Sequence, residues 1–387
     1  MEHFVTTPTR PVLTGSARAV FQRLVEQGPS TRPHIGQSLG LSRPTMSAAI
    51  AELEKPGYVE MIGAIRGPLG RSAAEYRVGQ GAGYVIAVDA GSTHVRLRVS
   101  TLDRRLLTSR QLRFPVSHIA IDADVSQAVA AEVGAVIAES LPEWGPLRVL
   151  GIATPTRVVG PEGDTEASRQ NVVFCAFTPP KGAAIVLENN VNCAAVAEMH
   201  YGAAQGEADF VYVQVGLKIG MGIILGERLI RGRNGAAGEI GHLSFPLAPN
   251  TNPLRGEAEH FLGTEAFLAR VRADWPPQAG AAPTDTAELL KLAGTGHEKA
   301  QRCVARHAAD IGAVVASCVS VVDPGLVVLG GGLGASPLLL PGVQETVNRL
   351  SYAADIRNTL LGPDATVLGI ERLAIEKALL LLIGQSG

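Results

Sequence analysis

Apolar positions in the first 60 residues recur at the spacing of an α-helix. Met46, Ile50 and Leu53 follow one another at i, i+4 and i+7, which places them on a single buried stripe. Ser42 stands where an N-cap residue belongs, and Pro44 is tolerated in the first helical turn. The pattern therefore predicts a helix that begins after Ser42.

A second helix is predicted directly upstream, over about residues 31–39. Ser30 is placed to cap its start, and Gly40 ends it where the backbone needs a positive φ. An earlier helix over about residues 16–27 would complete a three-helix core. Two short helices joined by a glycine turn are typical of a helix-turn-helix module.

After Gly57 the pattern changes to two strands with a loop rich in glycine and proline, which predicts a wing behind the helices. Residues 1–80 are therefore interpreted as a winged helix-turn-helix domain. Its candidate DNA-binding residues are polar positions that face away from the buried stripe or lie near the wing tip: Arg43, Thr45, Ser47, Arg66 and Arg71. The alternative is a small helical interaction module with a solvated basic loop.

Downstream of a glycine-rich boundary at residues 78–84, strand–turn–strand units occur twice, at residues 84–107 and 210–230. The first unit carries a D-x-G-x-T turn, and a later buried strand runs into a glycine run at residues 330–332. Glycine turns expose backbone N–H groups and let a ligand approach closely. The duplication predicts two related lobes.

Composition adds limited information about partners. The chain has 387 residues, 46% of them hydrophobic, and a formal net charge of −2, so it can bury large cores. Residues 1–80 hold nine Lys or Arg and six Asp or Glu, a modest basic bias.

The four cysteines show no CxxC spacing and are interpreted as small buried residues. The N-terminus lacks a signal-peptide pattern, and the apolar tract at residues 311–332 is broken by Asp323, so we expect a cytoplasmic protein without a membrane span.

These motifs, in this order, resemble the ROK family (repressors, open reading frames and sugar kinases) over about residues 15–385, and in particular its xylose- and N-acetylglucosamine-repressor-like regulators. The resemblance implies an α/β chain: an N-terminal winged helix-turn-helix, then a two-lobed actin-like ATPase fold over residues 81–387. It also implies a sugar bound between the lobes and a C-terminal helix that returns to the first lobe.

The stretch "ENNVNCAAVAE" decides whether the resemblance extends to catalysis. Kinase members carry Asn-Asp there, where the Asn binds a sugar hydroxyl and the Asp is the general base. Asn189 matches the Asn, and Asn190 occupies the position of the Asp. A neutral amide cannot take the proton, although it still exchanges hydrogen bonds with hydroxyls. Losing a general base lowers a rate by about 10²–10⁴, so we predict no catalytic residue.

Further sugar-binding residues are implied by the resemblance. Glu239 and His242, in "GEIGHL", match a sugar-binding Glu and His, and Glu259 best matches a Glu near the anomeric hydroxyl. A satisfied core histidine and a solvated glutamate are the alternatives for His242 and Glu259. Asn171 could also face the sugar, whereas Pro155-Thr156 departs from the Pro-Gly turn that is common in the family. Zinc is not expected, because the cysteines that bind it with the His in other members are absent.

The nucleotide site is predicted to be vestigial, and ATP is not expected. The family pattern G-T-G-x-G-x-G is replaced by a sequence with Leu217 and Lys218, which removes a hydroxyl and adds a large side chain. Lys218 is either a solvated lysine or a contact for a phosphorylated ligand. The retained positions are Asp89, Gly91, Thr93, Gly330, Gly331 and Gly332.

The sequence thus predicts a sugar-responsive transcriptional regulator, in most such cases a repressor. Its partners would be double-stranded operator DNA and a mono- or oligosaccharide, and it would act as a homodimer or homotetramer. One alternative is an active ATP-dependent sugar kinase that carries a DNA-binding domain. Another is a DNA-binding protein with a vestigial pocket.

Overall fold

Two units make up the chain in the computed structural model. The first comprises residues 1–154, 170–187 and 370–387, and the second comprises residues 155–169 and 188–369. The structure describes residues 13–66, 72–91, 94–113, 123–158, 182–245, 252 and 254–384.

Three helices and a small sheet form the N-terminal part of the first unit. The helices are α1 (Gly15–Gln27), α2 (Arg32–Ser38) and α3 (Arg43–Glu54), and the strands are β1 (Ser30–Thr31), β2 (Val59–Arg66) and β3 (Ser72–Val78). The strands lie in the order β1–β3–β2, with β2 and β3 forming an antiparallel hairpin. The predicted helices and hairpin are all present.

Local signals set most of the helix ends. The Ser42 hydroxyl accepts a hydrogen bond from the backbone N–H of Thr45 at 3.3 Å, and Gly40 has a φ of 64°. Ser30, however, does not cap α2, so that prediction was wrong. It pairs with Tyr76 of β3, and α2 begins at Arg32 after Thr31, because the sheet takes up the backbone of Ser30.

The predicted stripe of Met46, Ile50 and Leu53 is buried, and its core extends beyond the three helices. The C-terminal helix α12 (Ala365–Ile383) places Ala374 and Leu382 in the same hydrophobic cluster. The C-terminal part of this helix therefore packs within the first unit. Its contacts with the N-terminal helices were not predicted from the sequence.

The large sheet of the first unit has the order β6–β5–β4–β7–β8. Its strands are β4 (Tyr84–Ala90), β5 (His94–Thr101), β6 (Leu106–Arg113), β7 (Leu147–Thr154) and β8 (Ala184–Asn189). Helix α4 (Ala123–Ala138) packs against it. Strand β4 is antiparallel to β5 and parallel to β7. All seven of its residues are buried, as expected for a central strand.

Helix α12 is anchored to this sheet through a buried carboxylate. Glu371 is fully buried and accepts hydrogen bonds from Arg98 of β5 at 2.7 Å and from Arg104 at 3.4 Å. A buried carboxylate requires such partners, since its desolvation would otherwise be prohibitive. The pairing fixes the register of α12 on β5.

The glycine-rich stretch at residues 79–83 is a packed joint. A Cβ added to Gly81 would overlap the carbonyl oxygen of Pro56, which follows α3. Arg148 of β7 donates to the carbonyl oxygens of Gly81 at 2.6 Å and of Ala82 at 3.0 Å. The hairpin and the large sheet therefore meet without a loose linker, and a domain boundary at residue 80 stays a prediction.

The second unit is built on a sheet of order β11–β10–β9–β12–β13. The strands are β9 (Phe210–Val215), β10 (Ile219–Leu225), β11 (Arg228–Leu229), β12 (Leu326–Gly330) and β13 (Asp355–Asn358). Strands β9 and β10 are antiparallel, as β4 and β5 are in the first unit, whereas β9 and β12 are parallel. The predicted duplication of a strand–turn–strand unit is confirmed.

Seven helices are described between β8 and the start of α12. They are α5 (Asn190–Tyr201), α6 (Glu257–Leu262), α7 (Thr264–Ala273), α8 (Thr286–Gly294), α9 (Glu298–Val322), α10 (Gly331–Gly334) and α11 (Leu340–Leu350). Helix α9 is the one described helix long and apolar enough to span a membrane, and 56% of its apolar window is buried in the protein. Asp323, with a φ of 49°, ends it before β12, so the predicted order of helix, turn and buried strand is confirmed.

Candidate functional site

Asn189 ends β8 and caps helix α5. Its side-chain oxygen accepts from the backbone N–H groups of Val191 at 2.9 Å and Asn192 at 3.3 Å, and its amide nitrogen donates to the carbonyl oxygen of Thr156 at 3.3 Å. An Asn at an N-cap is favoured because it satisfies helix N–H groups that otherwise lack acceptors. Within the part of the chain that the structure describes, the second amide hydrogen of Asn189 has no acceptor and could be donated to a ligand.

Asn190 is the first residue of α5, and its side chain is half-buried. Within the described part of the chain its amide makes no hydrogen bond, while its carbonyl oxygen accepts from Thr366 at 3.4 Å. The position that resembles the kinase base therefore holds a neutral group with unused donors and acceptors.

A carboxylate does lie in this stretch, but it is the preceding residue, Glu188. One of its oxygens accepts from the backbone of Asn189 and from the side chain of Asn192, each at 2.9 Å, and the other accepts from Arg231 at 2.6 Å. Both oxygens are thus occupied in a buried setting, so this carboxylate positions neighbours. Sequence reasoning missed it, although an acid at the end of the apolar run "AIVLEN" was a usable signal.

Glu239, His242 and Glu259 lie around one short 3₁₀ turn at Ile240–His242. The backbone N–H of His242 donates to the carbonyl oxygen of Glu239 at 3.1 Å, and residues three apart lie on the same side of such a turn. Glu259, on α6, lies against Gly241: a Cβ there would be 3.2 Å from its Oε2. The three predicted side chains therefore share one small region, in which His242 is exposed and both glutamates are half-buried.

Strand β10 brings this region and the amide pair to the same part of the second unit. The Val191 side chain, at the start of α5, lies 3.1 Å from the position of a Cβ on Gly220. A Cβ added to Gly241, on the 3₁₀ turn, would lie 3.0 Å from the carbonyl oxygen of Ile219. Val191, which follows the two asparagines, and Gly241, which lies between Glu239 and Glu259 in the chain, thus both contact the first residues of β10. Asn171 lies outside the described residues.

In the first unit, Asp89 is the second-to-last residue of β4 and lies beside two basic side chains. Its Oδ2 is 3.4 Å from Nε2 of His94 and 4.0 Å from the guanidinium of Arg96. Gly91 lies against His94, while Thr93 is outside the described residues. The guanidinium of Arg96 is a cation close to this carboxylate, which makes Asp89 poorly suited to hold a metal ion through water.

The glycine run at residues 330–332 belongs to the second unit and has packing reasons of its own. A Cβ on Gly330 would overlap the hydroxyl of Tyr212, and a Cβ on Gly331 would be 2.6 Å from the carbonyl oxygen of Val215. Burial raises the pKa of Tyr212, whose hydroxyl is neutral beneath these glycines. Gly332 faces open space instead. Two of the three glycines are therefore explained by packing alone.

The β9–β10 turn carries the substituted loop. The N–H of Gly216 donates to the carbonyl oxygen of Lys218 at 3.0 Å, and the carbonyl oxygen of Gly216 accepts from the N–H of Thr264 at 2.9 Å. Lys218 is half-buried, and within the described residues its ammonium has no hydrogen-bond or ion-pair partner. A Cβ added to Gly216 would lie 3.5 Å from the backbone nitrogen of Gly332.

Among the residues that the structure describes, no group of three or more His, Cys, Asp or Glu side chains could hold a metal ion. Cys193 and Cys318 are buried and Cys303 is half-buried. Cys175 lies outside the described residues.

On the N-terminal helices, Arg43, Thr45 and Ser47 are exposed on the first turns of α3, opposite its buried stripe. Arg66 is the last residue of β2, and Arg71 lies outside the described residues. One basic residue near this face was missed from sequence: Arg32, the first residue of α2, which donates to the Tyr76 hydroxyl at 2.5 Å and to the Ser47 hydroxyl at 3.5 Å.

Comparison with known proteins identifies the family. The sequence profile of the ROK family matches residues 85–377, and the chain belongs to this family. Residues 13–78, which form the three helices and the hairpin, precede the matched region.

Relatives differ in how much of the chain they match. The chain is 22% identical to the xylose repressor of Caldicellulosiruptor bescii over 93% of its own length and 95% of that protein. It is 33% identical to the bifunctional enzyme NanE/NanK of Brucella melitensis biotype 1 over 50% of its own length, but this match spans only 36% of that enzyme.

A solved structure matches nearly the whole chain. The crystal structure of a ROK family transcriptional regulator, described as a homologue of the E. coli MLC protein, superposes with a TM-score of 0.71 at 18% identity. The match covers 95% of this chain and 97% of that one, so the two share a fold over most of their length. The predicted ROK fold, with its two duplicated sheets, is thereby confirmed.

Proposed function

We propose that this protein is a sugar-responsive transcriptional repressor whose sugar-kinase-like body is catalytically inactive. The observation that carries the proposal is the additional N-terminal module: three helices and a hairpin precede a ROK region, and the whole arrangement corresponds to a protein named a xylose repressor. A kinase has no need of such a module.

The N-terminal elements support a winged helix-turn-helix. Helix α3 would enter the major groove by its N-terminal turns, where Arg43, Thr45 and Ser47 are exposed. The hairpin behind it would be the wing, with Arg66 and Arg71 reaching phosphates or the minor groove. Two copies of the chain, as a dimer or within a tetramer, would suit a pseudo-palindromic operator.

The second unit would bind the effector, a mono- or oligosaccharide. Glu239, His242 and Glu259 lie around one 3₁₀ turn, Asn190 would add an amide with both donors and an acceptor, and Asn189 would contribute one amide hydrogen. Each sugar hydroxyl both donates and accepts, so a site of this composition rejects analogues that lack a matched hydroxyl. Sugar binding would change operator affinity only through unequal contacts in two states of the protein.

Three features favour binding without catalysis. Asn190 cannot act as a general base, and the Glu188 carboxylate beside it is fully hydrogen-bonded. Two basic side chains, His94 and Arg96, lie beside Asp89 where a metal ion would have to bind. The active ATP-dependent kinase, the second candidate, is favoured by relatives that are named kinases, among them a glucokinase of Streptomyces coelicolor that is 26% identical over 76% of the chain.

Thermal unfolding of the purified protein against a panel of ligands tests the proposal. The panel contains neutral sugars, sugar phosphates, oligosaccharides from xylan and chitin, and ATP with magnesium. A ligand that binds only the folded protein raises the melting temperature by mass action. We expect a rise with one sugar and none with ATP, and a Glu239→Gln variant should lose the rise.

The DNA half is tested by selection from a pool of random duplexes. We expect enrichment of a pseudo-palindromic sequence, and release of that duplex when the sugar from the first experiment is added. Enrichment of nothing would reject the regulator, and sugar-dependent consumption of ATP would establish the kinase instead. The proposed role also requires a cytoplasmic location, where the chain can reach DNA.

A further inference from the structure

Arg32 occupies a distinctive place among the basic residues of the N-terminal module. It begins α2, yet its side chain reaches Tyr76 on β3 and Ser47 on α3. Its guanidinium carbon also lies 5.1 Å from the centre of the Tyr76 ring. One side chain thus joins the second helix, the third helix and the hairpin.

The partners of Arg32 are neutral. Within the described residues no carboxylate lies within ion-pairing distance of it, and its Nε–H is buried without a hydrogen-bond partner. Arg77 of the same hairpin, by contrast, pairs with Glu60 at 2.7 Å. A half-buried cation held by two hydroxyl groups lacks the counter-charge that normally compensates its desolvation.

Arg32 contacts α3, the helix that is proposed to enter the major groove. Ser47, which it contacts, is exposed on α3 one helical turn after Arg43. A guanidinium has five N–H donors, and hydroxyl groups take two of those of Arg32. The remaining donors on its terminal nitrogens suit a phosphate oxygen, the partner for which the fork of an arginine is best shaped.

We propose that Arg32 binds a backbone phosphate of the DNA beside the first turns of α3, and that Tyr76 holds it in position. This inference rests on the proposed DNA-binding function and adds a residue to it. The contact would fix the orientation of α3 on the duplex without reading sequence. It would also tie the hairpin to the recognition helix, because the same guanidinium contacts both.

The salt dependence of binding tests this directly. Affinity of the full-length protein for a duplex of arbitrary sequence is measured by fluorescence anisotropy at several salt concentrations between about 50 and 200 mM. Each neutralised phosphate contributes about −0.9 to the slope of log K against log salt concentration. We expect Arg32→Gln to reduce the steepness of this slope by about 0.9.

Three further variants separate charge from geometry. Arg32→Lys should keep most of the slope while binding more weakly, because lysine lacks the fork. Tyr76→Phe should weaken binding with an unchanged slope, because it removes only the hydroxyl that holds Arg32. Lys55→Gln removes a positive charge at the other end of α3 and should leave the slope at its wild-type value.

The outcomes are distinct. A folded Arg32→Gln variant with the wild-type slope overturns the phosphate contact, and so does an equal change in Lys55→Gln. If Arg32→Gln fails to fold, Tyr76→Phe decides, since wild-type affinity there removes the holding role on which the proposal depends. Absence of salt-dependent binding by the wild-type protein would instead reject the proposed function itself.

Discussion

Glu188 and Arg231 are joined by a hydrogen-bonded ion pair of 2.6 Å between strand β8 and the loop that leads to Glu239. The two partners differ in environment, because the Glu188 side chain is 5% exposed and that of Arg231 is 51% exposed. The same carboxylate holds Asn189 and Asn192 at the start of α5. One buried acid therefore positions both halves of the proposed sugar site.

Replacing Glu188 should be costly for stability as well as for sugar binding. Glu188→Ala leaves the Asn192 amide and the Asn189 N–H without an acceptor, so we expect a loss of about 2–3 kcal/mol in the free energy of unfolding. Arg231→Gln should cost less, about 1 kcal/mol or below, because water screens its exposed end. Urea denaturation of the two variants measures both values.

The matched control is Arg302→Gln, which breaks an ion pair with Glu298 that is exposed on both sides. It should change the free energy of unfolding by less than about 0.5 kcal/mol. A Glu188→Ala variant as stable as this control would contradict the positioning role.

Restoring the carboxylate at position 190 should not restore a kinase. Asn190→Asp regains a possible base, worth about 10²–10⁴ in rate, and a negative charge at the first turn of α5 is favourable by about 0.3–1 kcal/mol. The nucleotide side is unchanged, however, since Asp89 retains its basic neighbours and Lys218 stays in the β9–β10 turn. We therefore expect a slightly stabilised protein that transfers no phosphate from ATP to the sugar.

The comparison for this variant is a triple change, Asn190→Asp with Leu217→Thr and Lys218→Gly, which restores the family pattern at both places. Coupled detection of ADP release measures all three proteins. Phosphate transfer by the single variant would mean that Asn190 alone separates this protein from a kinase, against our expectation.

The sequence was sufficient where structure follows from local signals. The stripe of Met46, Ile50 and Leu53, the Ser42 cap and the break at Asp323 each depend on a few neighbouring residues. Ser30 does not cap α2 because its backbone pairs with Tyr76 of β3, 46 residues downstream. The long-range pairing of that strand leaves no trace beside Ser30 in the sequence.

In the proposed functional sites, too, the sequence identified residues of a motif but not the contacts that depend on tertiary packing. Asn189 and Asn190 could be found by their resemblance to a motif, but the motif does not reveal that the Asn189 oxygen is used to cap α5. The Glu188–Arg231 pair joins residues 43 positions apart, and the contacts of Arg32 depend on how the hairpin folds back. Such pairs are decided by tertiary packing, which periodicity and spacing do not encode.

His307 should make the second unit sensitive to acid. It is buried on α9, stacked on Phe267 at 3.8 Å, and burial together with Arg270 lowers its pKa from 6.5 to about 3. Below pH 6.5 the unfolded chain binds a proton here that the folded chain does not, so stability is present above this pH and is lost as the pH falls. We expect His307 to account for about 2 kcal/mol of lost stability at pH 5.

His307→Phe keeps the aromatic stack and removes the titrating group, so its stability should fall less between pH 7.5 and pH 5. Denaturant melts at a series of pH values measure the difference. His260→Gln, at an exposed position of the same unit, should retain the wild-type pH dependence. Parallel pH profiles for wild type and His307→Phe would show that the burial of His307 does not cause the loss of stability at low pH.

The joint at residues 79–83 should tolerate no side chain at Gly81. A Cβ there would overlap the Pro56 carbonyl oxygen, which is backbone and cannot rotate away, so the hairpin would have to shift from the large sheet. We expect Gly81→Ala to lower the free energy of unfolding of the first unit by about 1–3 kcal/mol, the range for overpacking. Gly134→Ala is the opposite control, because nothing lies within 4 Å of its Cβ position and alanine favours helix α4 by up to about 1 kcal/mol. Calorimetric melting of the two variants should therefore move in opposite directions, and a Gly81→Ala protein as stable as the wild type would mean that this stretch is a compliant linker.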